Sequence, residues 1–159
     1  MQVFIIGSPF ETAKILDKRR LNKQIIEVNQ ILNAIKGSKA WHNHPCTIQY
    51  KGHVDWLENY LSCLIYYKNG LELHAEVESD LADVCRHSFH ENLCKEAHVL
   101  KPWVSDTEEY FNQMKRRLYT KNKIHYSQYS YLGESNQNWY FVNNEWKIYT
   151  NGKLIKNGQ

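Results

Sequence analysis

The chain has 159 residues, 42% of them hydrophobic, which suffices to bury a core without a disulfide or metal staple and fits one domain. Four cysteines with no CxxC spacing exclude a disulfide-stapled secreted module and predict free, buried thiols. The formal net charge of +3 is unevenly spread: residues 110 to 159 carry eight Lys or Arg against two Glu, a footprint that suits a polyanionic partner and also occurs in proteins that bind none.

The opening VFII reads as a short buried strand or an extended arm, closed by the turn residues of GSPFE. With few apolar residues and no basic lead, this start is neither a signal peptide nor a membrane span, so a cytoplasmic protein is expected. A helix is predicted from about Thr12 to Gly37. Leu21, Ile25, Val28, Leu32 and Ile35 line one face of it, and Arg20, Lys23, Gln24, Glu27 and Gln30 line another. After the loop KGSKAWHNHP, Pro45 suits the first turn of a second helix carrying Tyr50, Val54, Leu57, Leu61 and Leu64, which Asn69 and Gly70 should stop. Residues 71 to 100 read as one or two helices, interrupted at Lys101 and Pro102. A further helix capped by Ser105 or Asp106 would turn Tyr110, Met114, Leu118 and Phe111 inward.

The C-terminal part changes character. WYFV, WKIY and KLI are strand-like, and TNGK is a two-residue hairpin turn, since Asn-Gly tolerates positive φ at both centres. The fold expected is mainly α, a compact single-domain helical bundle with a small C-terminal β-hairpin.

His87, His90, Cys94 and His98 suggest a metal site, but on a helix His90 and His98 stand about 12 Å apart and cannot grip one ion. Partners such as His42 and His44 would have to come from elsewhere, and a solvated or structural role is favoured over a zinc-dependent hydrolase. No phosphate-binding glycine loop and no serine nucleophile elbow occurs. Arg116, Arg117, Lys115, Lys121 and Lys123, interleaved with Tyr119, Tyr126, Tyr129 and Tyr131, form either a nucleic-acid surface or a solvated helix face over core tyrosines. Glu27, taken alone, is equally an ordinary helix ion-pair partner.

The Glu27-bearing helix, the segment HPCTIQYKGHVDWLENYL and the later LYTKNKIHYSQYSYLG resemble, in order and spacing, the pyrimidine dimer DNA glycosylase family over about residues 1 to 133. Residues 134 to 159 have no counterpart. The resemblance implies a compact, mostly helical enzyme of a bacterial or phage setting that joins glycosylase to abasic-site lyase activity on double-stranded DNA, without a metal or other cofactor. It also implies the roles of nucleophile for the α-amine of Met1 and of acid residue for Glu27. Gln2 is too bulky to favour trimming of Met1, so Met1 should be retained. Gln2, Arg19, Arg20, Lys23, Gln24, Gln30, His44, Arg116, Arg117 and Lys121, with Lys39, stand where the family contacts its substrate. Three positions depart from the pattern: Ile26 precedes the Glu where Arg is common, and Gln30 and Gln2 also replace cations. A catalytically diverged protein that binds DNA, a nucleotide or a partner protein on this fold is the rival expectation.

The chemistry implied is reasonable for a chain terminus. A free α-amine of pKa 7.7–8.0 is on the order of 10% unprotonated at pH 7, several hundredfold more than an ordinary lysine.

Overall fold

The computed structural model describes residues 1–74, 107–143 and 145–155. The fold is mainly α with a small antiparallel sheet at its C-terminal end. Among the described residues the helices are α1 (Pro9–Ile15), α2 (Lys18–Ile35), α3 (Pro45–Gln49), α4 (Val54–His74) and α5 (Thr107–Lys121), followed by the 3-10 helix η1 (Ser127–Leu132). Strands β1 (Gln137–Val142), β2 (Glu145–Thr150) and β3 (Lys153–Ile155) then form one sheet in sequence order. The tail is therefore a three-stranded meander, one strand more than the expected hairpin. Asn151 and Gly152, with φ of 50° and 77°, make the predicted turn between β2 and β3.

The continuous helix expected from Thr12 to Gly37 is two helices. Ser8 caps α1 with a full capping box to Glu11, and α1 ends at Leu16, whose backbone is extended. Asp17 then caps α2 by accepting from the Arg20 amide at 3.0 Å. The stripe from Leu21 to Ile35 lies wholly within α2, and no Gly or Pro between Thr12 and Lys36 marks the break ahead of it. The second predicted helix is likewise divided, because Gly52 adopts φ of 88° between α3 and α4. Asn69 and Gly70 do not stop α4, which continues to His74; a glycine inside a long packed helix costs only about 1 kcal/mol relative to Ala.

Leu21, Val28, Ile31 and Leu32 of α2 pack with Leu57, Tyr60 and Leu64 of α4 and with Tyr110, Met114 and Leu118 of α5 in one apolar core. Cys46 is a free, buried thiol, and Cys63 is buried as well. The candidate metal residues His87, His90, Cys94 and His98 and the cap residues Ser105 and Asp106 lie outside the described residues. Among the described residues no helix is long and apolar enough to cross a membrane.

The core is threaded by residues that form no helix or strand. Val3, Phe4, Ile5 and Ile6 are buried in extended form, so VFII is an arm and not a strand. A buried backbone without a ladder must find other partners for its polar groups. Here side chains supply them, one carbonyl at a time. Tyr140 of β1 donates to the Met1 carbonyl at 2.8 Å, Gln24 of α2 to that of Gln2 at 2.8 Å, Tyr110 of α5 to that of Val3 at 3.2 Å, and Tyr60 of α4 to that of Phe4 at 2.7 Å. The Phe4 amide donates to Gln24 Oε1 at 2.9 Å and the Ile6 amide to Thr12 Oγ1 at 3.1 Å.

Candidate active site

Gln24 is the joint between the arm and the acid. Its side chain is fully buried, and its Nε2 donates both to the Gln2 carbonyl and to Glu27 Oε2, the latter at 3.1 Å. A three-residue step on α2 places Glu27 almost directly above Gln24, so one amide group ties the start of the chain to the carboxylate. Glu27 is 9% exposed, and its other oxygen lies 3.8 Å from the ammonium of Lys23, one turn back. The carboxylate is thus held by a neutral donor on the inside and a solvated cation on the outside.

Arg20, Lys23, Arg117 and Lys121 form a cation cluster of which Lys23 and Arg117 interact with this carboxylate. Burial, then the neighbouring charges of Arg117, Arg20 and Lys23, pull the Lys121 ammonium below its usual pKa. Burial also lowers Arg117, opposed by Tyr140, Tyr110 and Glu27. Mutual repulsion of this kind arises where cations crowd, and crowding of cations is what a phosphate backbone relieves. Arg117 is buried, its guanidinium lies 5.7 Å from the centroid of the Phe4 ring, and its NH1 donates to Asn138 of β1. Its buried Nε has no hydrogen-bond partner among the described residues.

His44 borders the same region. It caps α3 through Nδ1, which accepts from the Cys46 amide at 3.1 Å. Burial, then the positive charge of the chain terminus, lowers its pKa, which keeps Nδ1 free to accept. Its ring meets Trp41 and Tyr140 edge-on, at 5.6 and 5.8 Å between centroids. Cys46, buried beside it, has its thiol pushed up to about 12 by desolvation, which leaves it inert as a nucleophile at neutral pH.

The residues expected to touch substrate therefore separate. Lys23 and Arg117 interact with Glu27, His44 with the charge of the chain terminus, and Arg20 and Lys121 with Arg117. Gln2 and Gln24 are instead packed inside: the Gln2 amide donates to Met114 Sδ at 3.2 Å, and Gln24 spends both donors and its acceptor on the arm, Glu27 and Tyr60. Arg116 belongs to another contact. It donates to the Leu132 carbonyl at 3.0 Å and pairs with Glu109 at 3.2 Å, tying α5 to η1. Arg19, Gln30 and Lys39 are exposed on the surface.

The tyrosines of the basic segment also differ in role. Tyr126 is buried, and its hydroxyl donates to Asp17 Oδ2 at 2.8 Å while accepting from the Asp17 amide, which reinforces the cap of α2. Tyr129 is buried against it, whereas Tyr131 is 75% exposed.

Residues 1–67 match the family model described as pyrimidine dimer DNA glycosylase. This bears out the family resemblance read from the sequence. The matched part, less than half of the chain, holds the arm, Gln24, Glu27, Arg20, Lys23 and His44. Arg117, Lys121, η1 and the sheet lie beyond the match. No curated protein and no solved structure matches the chain. Sequence reasoning missed Asn138 and Tyr140, which reach this region from the tail. The signal available for them was indirect: a buried arm without a strand partner requires donors, and a tyrosine-rich chain supplies them.

Proposed function

We propose that the protein is a DNA glycosylase with abasic-site lyase activity, acting on a damaged or modified pyrimidine in double-stranded DNA, with the Met1 amine as nucleophile and Glu27 as the acid–base residue. The observation that carries this reading is the Gln24 amide, which at 2.8 and 3.1 Å holds the Gln2 carbonyl and the Glu27 carboxylate together, within the part matched by the family model.

The amine attacks the sugar C1′ as the C1′–base bond breaks and the base departs with its electron pair. Loss of the amine proton and opening of the C1′–O4′ bond give a Schiff base. Removal of a C2′ proton then expels the 3′ phosphate, and water releases the amine. Glu27 stabilises the positive charge that develops on the sugar and relays the protons. Arg20, Lys23, Arg117 and Lys121 hold phosphates on either side, offsetting the few kcal/mol needed to extrude the nucleotide. The chemistry requires no cofactor. A repair enzyme of this kind works in the cytoplasm of a bacterial or phage-infected cell.

Borohydride reduction in the presence of duplex containing an abasic site should link the protein covalently to DNA through residue 1. Glu27→Gln should lower the rate of strand cleavage at least about 100-fold, the usual scale for an acid–base residue. Acylating the terminal amine should abolish the adduct, and an intact protein that forms none overturns the reading. The rival, a DNA-binding protein without chemistry, draws on the non-cationic Gln2, Ile26 and Gln30; it requires Glu27→Gln to leave all biological activity intact.

A further inference from the structure

The sheet at the C-terminal end lies outside the family match, yet β1 reaches the start of the chain at Tyr140 and the cation cluster at Asn138. Burial along β1 is highest at Tyr140 and Val142, two residues apart, as expected for a strand with one face against the protein. Asn138 accepts from the Arg117 guanidinium, and Tyr140 donates to the Met1 carbonyl. The strand itself is held in place from both sides. Gln113 of α5 donates to the Gln137 carbonyl at 3.1 Å and to Ser135 Oγ at 2.7 Å, and the Phe141 amide donates to Gln49 Oε1 of α3 at 3.0 Å. Six consecutive residue pairs to β2 complete its support.

A chain terminus ordinarily frays. This one is fixed at consecutive peptide planes: Tyr140 holds the carbonyl of the plane joining Met1 to Gln2, and Gln24 holds that of the next. With the first plane fixed, the remaining freedom of the amine is rotation about the Met1 Cα–C bond. Standard bond lengths and angles confine that rotation to a circle of about 1.4 Å radius. Near-attack geometry is tighter than that circle, since a misplacement of about 1 Å costs on the order of 100-fold in rate, so an unfixed plane would place the amine far outside it.

We propose that Tyr140 is a positioning residue, which locks the first peptide plane so that the Met1 amine faces Glu27 and the extruded sugar, and that strand β1 is thereby part of the reaction apparatus. This rests on the reading of the Met1 amine as nucleophile. Tyr140 touches neither substrate nor the reacting atoms. It acts through the carbonyl two bonds from the amine nitrogen, and its ring, edge-on to His44 and to Tyr149 at 5.5 Å, is braced against swinging away.

The test uses the full chain and Tyr140→Phe, which removes the hydroxyl and keeps the ring contacts. Borohydride trapping on abasic duplex is measured as a function of DNA concentration. The rate at saturating DNA should fall about tenfold, while the half-saturating DNA concentration changes less than about twofold, because the lost hydrogen bond orients the amine and contacts no phosphate. A folded Tyr140→Phe that traps at the unaltered rate overturns the proposal while leaving the amine chemistry standing. A fall that appears wholly as weaker DNA binding also overturns it. An unaltered chain that forms no adduct removes the amine chemistry and this proposal with it. Should Tyr140→Phe fail to fold, the carbon-13 shift of the Met1 carbonyl in the unaltered protein decides: a hydrogen-bonded value is expected, and the value of a solvated carbonyl overturns the proposal.

Discussion

The N-terminal arm and the sheet meet at Tyr140, and they are ordered by opposite means. The sheet satisfies its backbone from within: β1 pairs with β2 and β2 with β3 in register, each strand supplying its neighbour. The arm of residues 1 to 6 has no such ladder, and its carbonyls are met by Tyr140, Gln24, Tyr110 and Tyr60, drawn from four different elements. A ladder is local and survives the loss of any one side chain. An arm held by single side chains registers the position of every element that holds it, so the placement of Met1 reports on the assembled core.

That contrast is most severely tested by alkali. Burial holds the phenols of Tyr50, Tyr60, Tyr110, Tyr126 and Tyr140 neutral above their usual value of 10.0. The folded chain keeps protons there that the unfolded chain releases. Their contribution to stability is complete below pH 10 and is lost as the pH rises above it, by up to about 1.4 kcal/mol per pH unit for each phenol. Tyrosinate absorbance from these residues should therefore appear in one cooperative step together with loss of helical circular dichroism. A gradual titration of the buried phenols with the helices intact would show that the arm is not clamped as described.

Gln24→Leu comes next. It leaves the Gln2 carbonyl, the Phe4 amide and the inner oxygen of Glu27 without their donors or acceptor, and should cost about 3 kcal/mol in denaturant unfolding. Substitution of a single clamp sharpens the comparison: Tyr60→Phe should cost about 1 kcal/mol, with the Phe4 amide still bonded to Gln24. At the other end of the molecule, Leu154 on β3 is 51% exposed, and Leu154→Ser should change stability by less than about 0.5 kcal/mol. If the order of these last three were reversed, the sheet and not the arm would be the sensitive element.

Local patterns in the sequence made the helical architecture and the hairpin turn legible. The stripe of Leu21, Val28 and Leu32 and the Asn151–Gly152 pair act within a few residues of themselves, and periodicity reads such features well. It failed at Asp17, a cap with no Gly or Pro beside it, and at Gly52, where a positive φ divides one apolar stripe between two helices. Glu27 was singled out by family resemblance, and its inner partner Gln24 was legible as a neighbour three residues back. Tyr140 was not, because 139 residues separate it from Met1 and nothing in a one-dimensional pattern records such a pairing. Gln2 and Gln24 were expected to contact substrate; Gln24 is buried because the unpaired arm needs amide partners inside the core, and Gln2 is buried as part of that arm, its side chain on Met114. Arg116 and Arg117 are adjacent in sequence yet serve different neighbours, since successive helix positions are turned about 100° apart.

The clamp on the Met1 carbonyl also bears on how the protein is to be handled. A purification tag fused ahead of Met1 converts its nitrogen into a peptide amide and adds chain to a terminus that Tyr140 holds in place. Recombinant material for any assay of the chemistry therefore needs its handle at the far end, beyond β3, whose three residues are all exposed.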